Sequence, residues 1–197
     1  MEIASGYKTI TPTQFANAVW ALHEGMITTH GLRVYLACFA LVAIREAAAR
    51  SRKKRREKPR ELCRYREQEL ARLTGLAPTD IRRALRQLQA AQLVTFCEGQ
   101  FDITRGPLPG SEEWQEDFAC QRSPHRPIPV PRSLLRFLAH ERSIALIQVA
   151  LAYVARGLSI ARRTGEINAK GTVKASWIAD SFGLSLRAVE YAQAKLR

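Results

Sequence analysis

A helix–glycine–helix unit occurs twice in this chain, and its repetition limits the fold more than any other feature. Placing Gly75 on Gly183 brings Leu70 onto Ile178, Ala71 onto Ala179 and Leu76 onto Leu184. Beyond the turn, Ile81 meets Val189, Ala84 meets Ala192 and Leu88 meets Leu196. Each matched pair falls where two helices crossing at a sharp corner face one another. A small Ala in the first helix permits close crossing, Gly supplies the positive φ of the corner, and the apolar residue after it plugs the gap. A long apolar helix and a basic loop precede each copy, which sets the pair apart from two unrelated helical hairpins.

The flanking residues read as follows. Thr11 to Glu24 is a helix, with Thr11 as its cap, Pro12 at its first position, Gly25 after its end, and Phe15, Val19 and Leu22 at helical spacing. Leu32 to Arg50 is a second helix whose apolar side carries Val34, Tyr35, Cys38, Leu41, Val42 and Ile44. After a charge run and a short strand at Leu62 to Tyr65 come two helices, Glu67 to Leu73 and Pro78 to Ala90. The strands Leu93 to Phe96 and Phe101 to Ile103 follow, joined by a tight turn at Glu98-Gly99-Gln100. Six prolines, Gly110 and an acidic, aromatic island (Ser111 to Phe118) make residues 106–131 a connector, in which Ser111 can cap a helical turn and Trp114 and Phe118 can pack together onto a domain. The pattern then returns: helices Arg132 to His140 and Ser143 to Arg156, a basic loop with Arg162, Arg163 and Lys170, a short strand Thr172 to Lys174, and helices Ala175 to Phe182 and Leu186 to Arg197.

Charge narrows the partner. The 197 residues carry 31 Lys plus Arg against 18 Asp plus Glu, a formal net charge of +13. That surplus points to a polyanion, nucleic acid before an anionic membrane surface. The apolar runs Val34 to Ile44 and Ile144 to Ala155 are too short to span a bilayer, and the first ten residues lack a signal-peptide layout. Cys38, Cys63, Cys97 and Cys120 show no zinc-ligand spacing, so the expectation is a reducing cytoplasm and no metal.

LARLTGLAPTDIRRALRQLQ and WIADSFGLSLRAVEYAQAKLR resemble the helix-turn-helix of the winged-helix superfamily of DNA-binding proteins, and LVTFCEGQFDI resembles its hairpin wing. The resemblance implies a mainly α fold with short β-hairpins, arranged as two tandem winged helix-turn-helix domains. These are residues 1–105 and 132–197, joined by the Pro-rich acidic linker 106–131. The second unit departs from the pattern: its wing is absent or lies beyond Arg197. The tandem layout is similar to that of plasmid and mobile-element replication initiators, and also to that of some regulators.

In this fold the second helix of each turn lies in the major groove. With Ile81, Leu85 and Leu88 on the core side, Thr79, Arg82, Arg83 and Arg86 face outward, and Arg is well shaped to grip guanine O6 and N7. Arg82 and Thr79 are expected nearest the bases; the plain alternative is a solvated basic face. The second unit presents Arg187, Glu190, Tyr191, Ala194 and Lys195, a less basic face that serves either weak DNA binding or dimerisation, with Lys174 just upstream. The run Arg52, Lys53, Lys54, Arg55 and Arg56, extending to Lys58, reads as a mobile arm tracking phosphates or entering a minor groove, or else as a solubilising loop. Glu112, Glu113, Glu116 and Asp117 either pack against or shield a basic surface, or form a plain linker.

GxxxxGK, GxGxxG, GxSxG and HExxH are all missing, and no nucleophile stands beside a base. The expectation is a non-enzyme without cofactor that binds double-stranded DNA in the cytoplasm, on the nucleoid. Its role is replication initiation at a plasmid or mobile-element origin or, by the same contacts, transcriptional regulation. Its further partners are a second copy of itself or replication or transcription proteins. A scaffold built from winged helices is the reading of a different class, and single-strand or RNA binding, which wants aromatic platforms, ranks last.

Overall fold

The computed structural model describes residues 6–51, 63–114, 128–157, 159–160, 167–168 and 173–196. They form a mainly helical protein with small antiparallel sheets. In chain order the elements are β1 (Tyr7–Ile10), α1 (Pro12–His23), α2 (Thr29–Ser51), β2 (Cys63–Arg64), α3 (Glu67–Thr74), α4 (Pro78–Ala90), β3 (Val94–Cys97) and β4 (Gln100–Ile103). After these come β5 (Ile128–Pro131), α5 (Arg132–His140), α6 (Ile144–Gly157), β6 (Ser159–Ile160), β7 (Ile167–Asn168), α7 (Ala175–Phe182) and α8 (Leu186–Leu196).

Local chemistry accounts for the helix starts. Thr11 and Gln14 close a capping box: Thr11 Oγ1 accepts from the Gln14 amide at 3.2 Å, and Gln14 Oε1 accepts from the Thr11 amide at 3.0 Å. Pro12 and Pro78 open α1 and α4, where a missing N–H costs nothing. Glu98 and Gly99 both take positive φ (46° and 73°), the signature of a two-residue hairpin turn, and β3 pairs with β4 from Val94↔Ile103 to Cys97↔Gln100. The short β2 adds to the other edge of β4, giving the order β2-β4-β3.

The second helix is a buried core helix, as its long apolar run implies, and it is covered on more than the one apolar side picked out in the sequence. Every residue from Leu32 to Leu41 is buried, Arg33 included, so this stretch of α2 is covered on all sides rather than along one stripe. The reason is its position: α3, α4 and α5 all pack on it, and β1 and α1 touch it as well. A single contiguous cluster of buried apolar side chains runs from Ile10 through α2 to Leu151 in α6 and Val189 in α8.

Residues 106–131 are also more structured than a plain connector. Ile128–Pro131 is a strand, antiparallel to β1 from Tyr7↔Pro131 to Ile10↔Ile128. Pro129 and Pro131 fit there because each strand of a two-stranded ladder has an outward edge that needs no donor. Asn17 of α1 clamps the start of the segment, donating to Gly106 O at 2.9 Å and accepting from the Leu108 amide at 3.3 Å. Residues 112–114 are helical, and the Trp114 ring stacks on His23 with centroids 5.1 Å apart. Phe118, Glu116 and Asp117 lie outside the described residues, as do Cys120, Arg162, Arg163 and Lys170.

The strand expected at Thr172 to Lys174 is not present at Val173 and Lys174. Lys174 is instead the cap residue of α7, with φ −66° and ψ 134°. An extended cap looks locally like a strand but has no ladder partner.

Candidate nucleic-acid interface

The repeat seen in the sequence is a repeat in three dimensions. The shift that carries Gly75 onto Gly183 carries Glu67–Thr74 onto Ala175–Phe182 and the start of α4 onto the start of α8. Both glycines sit in the left-handed region, Gly75 at φ 66° and ψ 17° and Gly183 at φ 61° and ψ 32°. Each closes its first helix by donating to the carbonyl four residues back, Ala71 and Ala179 respectively.

On α4, Ile81, Ala84, Leu85 and Leu88 are buried, each large one contributing roughly 2 kcal/mol of burial. That anchoring fixes the helix's rotation. Thr79, Arg82, Arg83 and Arg86 are therefore all exposed on one outward face. Arg82 is engaged there: its Nε donates to both carboxylate oxygens of Glu67 on α3, at 3.2 and 3.0 Å. Arg86 Nε reaches back to Arg82 O at 3.4 Å, and Arg83 makes no ion pair among the described residues. Gln87, on the inner side, accepts from Thr28 Oγ1 at 3.0 Å and so ties α4 to the start of α2.

The second hairpin presents Arg187, Glu190, Tyr191, Ala194 and Lys195, all exposed. Lys195 Nζ sits 5.1 Å from the Tyr191 ring centroid, and Tyr191 is 64% exposed. Lys174 is exposed at the head of α7. Behind this face Val189 and Ala192 are buried against α6, and the Arg156 guanidinium lies 3.4 Å over the Trp177 ring, holding α7 to the end of α6. The basic run Arg52, Lys53, Lys54, Arg55 and Arg56 lies outside the described residues, between α2 and β2.

Two further features bear on the interface, the second of them not read from the sequence. The hairpin β3–β4 carries Glu98 at its tip rather than a cation. Arg33 stands among apolar residues of α2 and is only 4% exposed. Its Nε donates to Ala139 O and its Nη2 to His140 O, both at 3.1 Å, and Nη2 also donates to Thr74 O. One guanidinium thereby satisfies the last carbonyls of α3 and α5 and offsets their negative ends. Burial, reinforced by the nearby Arg142, lowers its affinity for the proton, with Glu141 opposing. An interrupting Arg in an apolar helix is the available signal.

Among the described residues no three His, Cys, Asp or Glu side chains gather as a metal site, and no helix is long and apolar enough to cross a membrane. Compared with known proteins, the chain matches no protein-family model, no curated protein and no solved structure.

Proposed function

We propose that the protein binds duplex DNA through α4, set in the major groove, with α3–α4 and the β3–β4 hairpin acting as a winged helix-turn-helix and α7–α8 as a second, less basic unit. The observation that carries this reading is the single exposed face of Thr79, Arg82, Arg83 and Arg86, held outward by the buried Ile81, Ala84, Leu85 and Leu88. The net charge of +13 supplies long-range attraction to phosphates. Glu67 holds Arg82 ready and competes with DNA for it.

The test is duplex binding across a salt series. Affinity should fall steeply with salt, and Arg83→Ala with Arg86→Ala should flatten the slope of log K against log salt by about 1.8, if each side chain neutralises one phosphate. Glu67→Gln, which removes an exposed ion pair worth up to about 1 kcal/mol, should tighten binding by up to about fivefold. A flat salt response and an indifferent Arg83/Arg86 variant would rule the reading out. Footprinting on the DNA flanking the coding region would then separate the two roles: repeats at an origin mark replication initiation, a promoter site marks regulation. A second reading, protein docking through α8, is favoured by Leu186 (49% exposed) and Tyr191 on that helix. Leu186→Ser with Tyr191→Ser would then abolish self-association in sedimentation and leave duplex binding intact.

A further inference from the structure

The Gly75 corner walls a cleft of about 360 Å³ whose lining includes Thr29, His30, Arg33, Thr74, His140 and Arg142. Two guanidinium groups and two imidazoles face it, and among the described residues no carboxylate lines it. Arg33 uses Nε and Nη2 on carbonyls, while its Nη1 makes no hydrogen bond among the described residues. The first turn of α2 opens onto the same space. The Gly31 amide is taken by Thr28 Oγ1 at 3.3 Å and the Leu32 amide by Thr28 O at 3.0 Å, whereas the Thr29 and His30 amides precede the helical ladder.

Charges at the cleft can be weighed. The ends of α3 and α5 each bring roughly half a negative charge, which the single positive charge of Arg33 offsets. The Glu141 carboxylate stands against Arg142, which leaves the positive end of α2 in excess. Glu141 keeps its charge but is turned to the backbone rather than the cleft: its Oε1 accepts from the amides of Arg142 at 2.7 Å and Ser143 at 2.8 Å. Arg142 stands close enough to Arg33 to disfavour its protonation, Glu141 opposes this only in part, and an anion placed in the cleft between the two guanidinium groups would relieve their repulsion.

We propose that this cleft binds a phosphate group, either of a phosphodiester running past the α3–α4 corner or of a free phosphate ester. Arg142 and His30 grip the anion from the rim, Arg33 Nη1 from the floor, and the α2 amides from one side. The volume leaves room for the sugar to which a phosphate is attached. Phosphate binding as such is independent of the major-groove reading; only the phosphodiester source rests on it.

The test is a titration of the full chain with inorganic pyrophosphate at fixed ionic strength, followed through the imidazole resonances of His30 and His140 and the Gly75 amide. Saturable shifts are expected, with Kd raised at least fivefold in Arg142→Ala and in His30→Ala. Both residues are exposed, so circular dichroism should show intact folds. Arg105→Ala, an exposed cation outside the cleft, should change Kd less than twofold. Non-saturable shifts, or equal weakening by Arg105→Ala, overturn the proposal. A second arm uses a short duplex. If Arg142→Ala loses duplex affinity and flattens the salt slope by about 0.9, the phosphate belongs to DNA. If it keeps duplex affinity but loses pyrophosphate, the ligand is a free ester. If the unmodified chain binds pyrophosphate but no duplex, the DNA reading fails and the cleft stands.

Discussion

Gly75 and Gly183 occupy matched corners yet answer to different constraints. At Gly183 the backbone decides: φ is 61° and an added Cβ would meet nothing within 4 Å among the described residues. At Gly75 φ is 66°, and an added Cβ would stand 2.6 Å from His140 Cε1. Gly183→Ala should therefore cost about 1–2 kcal/mol for the left-handed backbone alone. Gly75→Ala should cost a similar amount or a few tenths of a kcal/mol more, because the His140 ring in its way is exposed and can turn aside. Urea midpoints of the two variants check this, and a loss well under about 1 kcal/mol at either glycine would count against the left-handed corner. The need for positive φ was legible in the sequence, since a glycine recurred between matched apolar residues. The His140 contact was not, because nothing local to Gly75 signals a side chain arriving from a remote helix. Arg33 is similar. Its presence in an apolar run is visible, but its three carbonyl partners belong to helix ends that only the fold brings together.

At the scale of elements, legibility followed periodicity. α1, α3, α4, α5, α7 and α8 carry amphipathic spacing and recognisable ends, and they stand within a few residues of their expected bounds. β5 was hidden by its own prolines, which in isolation mark a loop and here sit on an open ladder edge. α6 begins where two side chains meet its first amides: Ser143 Oγ accepts from the Leu146 amide at 3.3 Å, and Glu141 accepts from the two amides just before the helix. Those backbone hydrogen bonds, the Ser143 amide foremost, hold the Glu141 carboxyl below the usual glutamate range. A depressed folded pKa means stabilisation that is complete above the unfolded value and lost as pH falls through the folded one. Glu141→Gln should thus lower the melting temperature at pH 7 and have little effect at pH 2. Thermal denaturation at the two pH values checks it, and an equal loss at both would assign the effect to packing instead.

For the molecule as a whole, the packing of α5 against α2 and of β5 against β1 joins the two repeats into one apolar cluster. Periodicity within each repeat showed both hairpins but carried no information about this joining, because a hydrophobic face does not specify which partner covers it. One cooperative unfolding transition is expected, with far-ultraviolet circular dichroism and tryptophan fluorescence coinciding. Trp20 and Trp114, the latter packed on His23, report on the first half and Trp177 on the second, so replacing Trp177 by Phe, or Trp20 and Trp114 together, isolates the signal of the other half. Two separated transitions would show that the halves unfold independently.

The β1–β5 ladder also fixes an order of events during synthesis. Tyr7 emerges from the ribosome early but must wait for Pro131 before it can pair, and until α5 follows, the flank of α2 that α5 covers has nothing to lie against. The nascent first half therefore carries a sticky stripe through most of translation, and the cell's holding chaperones are its natural companions over that interval.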